Sequence, residues 1–182
     1  MKTALQMLSD EHKNILTVID ILLRECDSIE SGKKIDETFF KKAIGFIEGY
    51  ADKFHHAKEE DILFVELCKD EVQMRCNPTQ QMLHEHDLGR NFIKELKEGI
   101  KKDNKDKIIE NTRGYAYLLK DHIFKEDNIL YPMADESLSP SIKNDILNKF
   151  KQVEMELDKE KDKCLLFLIR INSIIWTNKC IN

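Results

Sequence analysis

Two copies of one ten-residue pattern carry the groups in this chain most able to do chemistry. His55-His56-Ala57-Lys58-Glu59-Glu60-Asp61-Ile62-Leu63-Phe64 is echoed by His122-Ile123-Phe124-Lys125-Glu126-Asp127-Asn128-Ile129-Leu130-Tyr131. Seven of the ten positions agree in type: His, Lys at +3, Glu at +4, an acid at +5, Ile at +7, Leu at +8 and an aromatic at +9. A Glu-His pair precedes each copy, Glu11-His12 and Glu85-His86. Together these segments supply four imidazoles and two carboxylates, a donor set for two metal ions.

The chemistry follows from the spacing. An α-helix turns about 100° per residue, so positions i and i+4 share a face about 6 Å apart along the axis. His55 and Glu59 therefore point the same way, as do His122 and Glu126. Such a pair binds one ion with its imidazole and reaches a second with its carboxylate. Two bridging carboxylates and two imidazoles per ion leave positions open for water, dioxygen or nitric oxide. Mixed nitrogen and oxygen donors of this kind suit iron; manganese and zinc accept them too. Facing carboxylates in a core also demand a cation or a proton, because a buried unpaired charge is costly.

Two doublets leave a choice. His56 and Glu60 satisfy the same spacing as His55 and Glu59, but only the His55–His122 register aligns Lys58 with Lys125 and brings Ile62, Leu63 and Phe64 to their partners. That register favours His55 and Glu59, and turns His56 and Glu60 about 100° off the site face. His84 and His86 pose the same question, and the Glu11-His12 pairing favours His86. The expected ligands are His12, His55, Glu59, His86, His122 and Glu126. Tyr115, seven residues before His122, is expected to line the site or its entrance. Glu11 and Glu85 are expected to face solvent or a neighbouring helix.

Long helices must position these donors. Leu5, Leu8, His12, Ile15, Ile19, Leu22 and Leu23 recur at three- and four-residue steps, predicting a first helix from about Ala4 to Glu30. Asp36 caps a second that reaches about Lys69. Asn77 caps a third, with Pro78 at its first position, running to about Lys102. A fourth starts between Asp103 and Lys105 and stops before Pro132, and Ser139-Pro140 opens a fifth. Short connections make neighbours antiparallel, giving an all-α, up-down-up-down four-helix bundle over residues 1–135. Residues 136–182 then form a C-terminal helical extension. Its residues 164–176 are strongly apolar, but thirteen residues with Arg170 among them are too short to span a bilayer. That segment is expected to pack on the bundle or on a second copy in a homodimer; a peripheral membrane contact is the other reading.

Composition narrows the class. With 182 residues, 41% of them hydrophobic, the chain can bury a full core as one domain. A net charge of −5 with no basic patch gives no reason to expect nucleic acid as a partner. Five cysteines without a CxxC motif form no disulfide framework, and the N-terminus has no secretory apolar core. Reduced thiols and a cytoplasmic location are the expectation.

The chain resembles the hemerythrin-like, or HHE cation-binding, domain family. The residues that carry the likeness are Glu11-His12, His55-x-x-Lys58-Glu59-Glu60, Met82-x-x-Glu85-His86-Asp87 and His122-x-x-Lys125-Glu126-Asp127-x-x-Leu130-Tyr131-Pro132. It spans about residues 4–135. It implies a four-helix bundle around two iron ions in an oxo- or hydroxo-bridged di-iron centre, held by His12, His55, Glu59, His86, His122 and Glu126. Members of the family bind or sense dioxygen, sense iron, or respond to nitric oxide and help repair damaged iron centres. The oxygen carriers add a fifth His one turn from the ligand on the third helix, where Met82 and Arg90 flank His86 here. Their last carboxylate falls where this chain has Asp127, whereas the repeat favours Glu126. The four-His, two-Glu set looks more like the iron-centre repair proteins. The expected function is a di-iron protein that binds or senses dioxygen or nitric oxide; the alternative is a di-iron peroxidase or oxidase, or a repair factor. The sequence leaves open whether the protein is an enzyme. A ferritin-like oxidase is disfavoured, because that class places Glu three residues before a ligand His and no His here has one.

Overall fold

The computed structural model describes the backbone of residues 2–179 and the side chains of residues 2–171. Trp176, its apolar neighbours from residue 172 on, and Cys180 lie outside the described side chains. Among the described residues there is no strand, and no helix is long and apolar enough to cross a membrane.

The helices start where polar side chains can take up free backbone N–H groups. Thr3 and Gln6 form a reciprocal capping box ahead of Ala4–Glu30. The Asp36 carboxylate accepts from the Phe39 N–H, and Asn104 and Ser139 do the same for Lys107 and Ile142. The third helix, Thr79–Lys101, starts one residue later than its sequence predicts. Asn77 Oδ1 accepts from the N–H of Thr79 (3.1 Å), and Pro78, with ψ near 6°, occupies the cap position instead of the first turn.

The second and fourth helices are continuous rods with wider turns inside them. The second is α-helical at Glu37–Phe46, π-helical at Ile47–His56 and Glu59–Leu63, and α-helical again at Phe64–Leu67. The fourth runs Lys105–Lys125, passes through a π turn at Glu126–Leu130, and continues as Tyr131–Ser137. Pro132 therefore does not stop it. A proline ring in a regular helix clashes with the carbonyl four residues back. Here the preceding π turn has already shifted the bonding by one residue, with the Tyr131 N–H on the Glu126 carbonyl, and it widens the backbone. The two short π turns fall at equivalent places in the repeat, each beginning at its Glu.

Side-chain pairs fix the topology. His12 meets His55 and Asn14 meets Tyr50; Glu60 meets His86 and Glu48 meets Lys97; His86 meets His122 and Lys107 meets Glu95; Asp20 meets Lys120 and Asp27 meets Arg113. In every adjacent pair one number rises as the other falls, so all four neighbours are antiparallel and the bundle is up-down-up-down. The core divides into two apolar halves. One contains Ile15, Ile19, Phe46, Phe54, Leu96 and Leu119; the other contains Leu8, Leu63, Met82, Leu130 and Phe150. The histidines lie between them, each flanked along its own helix by residues of both halves.

The extension covers the bundle. Pro140–Glu156 buries Ile146 and Phe150 in the second apolar half, beside Leu63 and Tyr131. Asp158–Lys179 seats Leu168 in the first half, with Phe167 6.3 Å from Phe46, while Leu166 and Ile169 face outward. The apolar stretch thus packs on the bundle through the part that is described.

One close approach sets the third helix against the fourth. A Cβ added at Gly114 would lie 2.4 Å from the Phe92 ring. Gly114→Ala is expected to destabilise the fold by about 1–3 kcal/mol, read as a fall of several degrees in thermal midpoint. An unchanged midpoint would show that the ring moves aside freely.

Candidate metal centre

The four repeat-related histidines converge in pairs at the centre of the bundle. His12 Nε2 lies 3.0 Å from His55 Nε2, and His86 Nε2 lies 3.0 Å from His122 Nε2. Each ring is almost fully buried. Each turns its other nitrogen to a carboxylate: His12 Nδ1 donates to Asp127 (3.0 Å), His55 Nδ1 to Glu11 (2.9 Å), His86 Nδ1 to Glu60 (2.6 Å) and His122 Nδ1 to Glu85 (2.9 Å). A carboxylate on Nδ1 fixes the tautomer and leaves Nε2 as a bare lone pair. Two lone pairs facing each other at 3.0 Å repel unless a cation or a proton lies between them.

Glu59 and Glu126 span the two pairs. Glu59 Oε2 lies 3.5 Å from His55 Nε2 and 3.6 Å from His86 Nε2. Glu126 places Oε2 3.3 Å from His12 Nε2 and Oε1 3.1 Å from His122 Nε2. Both residues are completely buried, and Glu59 Oε2 and both oxygens of Glu126 have no hydrogen-bond partner. Such groups are costly in a core unless something neutralises them. First-row ions bind nitrogen at about 2.1 Å, so two donors at right angles on one ion lie about 3.0 Å apart. The residues present therefore fit two ions, one between His12 and His55 and one between His86 and His122, with Glu59 and Glu126 reaching both.

The electrostatics agree. Burial, reinforced by the charge of Glu126, pushes the Glu59 carboxyl well above the usual range. Burial acts on Glu126 too, but His122 and His12 hold it well below that range. The protein groups alone cannot support two carboxylate charges here; added positive charge can.

All six expected ligands are brought together in two overlapping clusters of donors: His12, His55, Glu59 and Glu126 in one, and His56, Glu59, His86 and His122 in the other. His84 is exposed on the third helix. His56 is not turned away as its sequence position implies. It is buried and stacked on His86, with centroids 3.7 Å apart and planes 13° apart. The π winding of Ile47–His56 narrows the angle between adjacent side chains, and both His55 and His56 are buried. Glu60 likewise turns inward to His86, and of the two expectations for Glu11 and Glu85 the neighbouring helix is the one seen: they are buried behind His55 and His122.

The repeated lysine now has a reason. Lys58 Nζ pairs with Glu11, and Lys125 Nζ pairs with Glu85, so each half contains the same Lys–Glu–His chain. Burial pushes Glu11 up to about 7 despite Lys58. Glu85 is less enclosed, and against burial His122 and Lys125 hold it down to about 2. The shared Lys at +3 and the shared Glu before each His were the sequence signals for this chain. Tyr131 had no such signal, since its counterpart is Phe64. Its hydroxyl donates to Glu59 Oε1 (2.5 Å), and its ring lies parallel to His12. Glu85→Gln is expected to weaken metal affinity by roughly 10–100-fold, measured by competition with a chromogenic chelator. Wild-type affinity in that variant would mean the carboxylate does not orient His122.

No curated protein and no solved structure matches the chain significantly. The model of the hemerythrin HHE cation-binding domain does match, over residues 3–134, the whole bundle that holds these clusters. The chain belongs to the hemerythrin HHE cation-binding family.

Proposed function

We propose that this chain is a non-haem di-iron protein that binds or senses dioxygen or nitric oxide. The observation that carries the reading is the pair of bare Nε2 couples, each 3.0 Å across, joined by two buried glutamates without hydrogen-bond partners. In this reading His12 and His55 would hold one ion and His86 and His122 the other, with Glu59 and Glu126 within reach of both. Iron in such a set supplies reversible redox change and open positions for a small ligand.

The surrounding residues suit that task. Tyr131 donates to Glu59, and its hydroxyl oxygen lies 3.4 Å from His12 Nε2. Phe54, Phe64, Leu63 and Leu119 exclude bulk water from the buried donors. The cavity that reaches the histidines has a volume of about 160 Å³, enough for a diatomic molecule and a few waters but not for a large organic substrate. That size favours ligand binding over a substrate oxidase.

The test is optical. The reduced, iron-loaded protein under anaerobic conditions is exposed to dioxygen or to nitric oxide in separate samples. A new visible absorption with one of the gases that reverses on its removal is expected. Bound iron whose spectrum neither gas alters would defeat the reading.

A further inference from the structure

Four buried imidazoles form the two donor pairs, and a fifth stands beside one of them. His56 is 6% exposed, and one of its ring nitrogens belongs to a group of four donor atoms, with Glu59, His86 and His122, that all lie within 4.8 Å of one another. Its counterpart in the repeat is Ile123, so the second copy offers no equivalent imidazole.

His56 is equipped as the other four are. A carboxylate on the far ring nitrogen is the usual accompaniment of a metal-ligating histidine, and His12, His55, His86 and His122 each have one, on Asp127, Glu11, Glu60 and Glu85. His56 has one too: its Nδ1 donates to Asp52 (3.3 Å). That bond sets the tautomer with a bare Nε2, which accepts no hydrogen bond from any described residue. Asp52 is fixed by Arg90 at 2.8 and 2.9 Å. The same guanidinium holds Glu60, the partner of His86, at 2.6 Å, so one cation steadies the carboxylates behind both rings. His84, the remaining histidine, is exposed and makes no such bond among the described residues.

His56 lies flat on His86, with centroids 3.7 Å and planes 13° apart. Two rings bound to one ion do not stay parallel and in contact, so filling the site opens this stack. The χ2 torsion of a histidine is broad and permits the turn. The cavity of about 160 Å³ that His56 and His86 line leaves room for it.

We propose that His56 is a third imidazole donor to the ion between His86 and His122. The inference deepens the di-iron reading and rests on it. Three imidazoles on one ion and two on the other make the two irons chemically distinct, although the repeat that builds the centre is nearly symmetric.

The experiment uses the full-length, iron-loaded protein. Frozen-solution Mössbauer spectra of the oxidised wild type are expected to show two doublets of equal area. His56→Ala is expected to keep its helical circular dichroism and, in competition with a chelator, to bind one of its two irons more than about 100-fold more weakly, beyond the cost of losing an outer partner. Free imidazole, admitted by the cavity and by the space the side chain leaves, is expected to restore tight binding of that iron.

Two irons held with wild-type affinity in His56→Ala would overturn the proposal and leave the di-iron reading standing. A loss of iron that free imidazole does not restore would assign His56 to packing on His86 and overturn it as well. A single doublet from the wild type would overturn it without any variant, should His56→Ala fail to fold. A wild-type protein without two irons would overturn the di-iron reading and this proposal with it.

Discussion

A chain carrying both Glu59→Ala and Glu126→Ala is expected to purify essentially free of metal and to stay helical. Each glutamate reaches a histidine of both pairs, so the double change removes the two carboxylates that span them. The loss should exceed the roughly 10–100-fold that removal of an outer partner costs. The fold should survive, because the apolar halves on either side, with Phe40, Phe46, Phe54 and Phe150 fully buried, do not depend on the carboxylates. Removing two completely buried acids also relieves a desolvation penalty that only a cation offsets. Elemental analysis and circular dichroism on the same sample decide it. Full metal content in the double variant would mean that the ions are held elsewhere.

Chelation is expected to lower the thermal midpoint sharply, by about 8–16 °C. A ligand present at 1,000 times its dissociation constant stabilises by about 4 kcal/mol, and a chain of this size shifts by about 2–4 °C per kcal/mol. The loss is local in origin: without the ions, only protons remain to neutralise the facing Nε2 atoms and the two glutamates. The centre also competes with protons. Burial pulls His12 and His122 down, but the carboxylates around them, Asp127 and Glu126 for His12 and Glu126 and Glu85 for His122, raise the first to about 9 and the second to about 10. At neutral pH both rings then carry a proton that an ion must displace. Metal affinity should therefore rise with pH until those values are passed, and loading at pH 6 should be weaker than at pH 8. Differential scanning calorimetry with and without chelator tests the first effect, and chelator competition at the two pH values tests the second. An unchanged midpoint, or affinity that falls from pH 6 to pH 8, would contradict this account of the centre.

Much of this centre could be read from residue types and spacing. The Lys58/Lys125 register selects His55 and Glu59, and the Glu11-His12 pairing selects His86 over the exposed His84. The bundle was legible because its apolar residues recur with helical period and its caps are ordinary Asp, Asn and Ser. What escaped depends on winding. A regular helix takes His56 and Glu60 away from the centre, whereas the π segments beginning at Ile47 and Glu59 bring them in. The same wider turn lets the fourth helix run through Pro132. No side-chain pattern in a single sequence separates a π turn from an α turn, so the inward rotation of those residues was hidden. For Glu11 and Glu85 the sequence left solvent and a neighbouring helix both open, and the choice depends on the lysine placed behind each.

The most direct test of the central claim is the iron content of the purified full-length chain, produced with ample iron and measured beside its Mössbauer spectrum. Two irons per chain with a spin-coupled pair are predicted. Zinc in their place, a single iron, or none would contradict the di-iron centre built on His12, His55, Glu59, His86, His122 and Glu126.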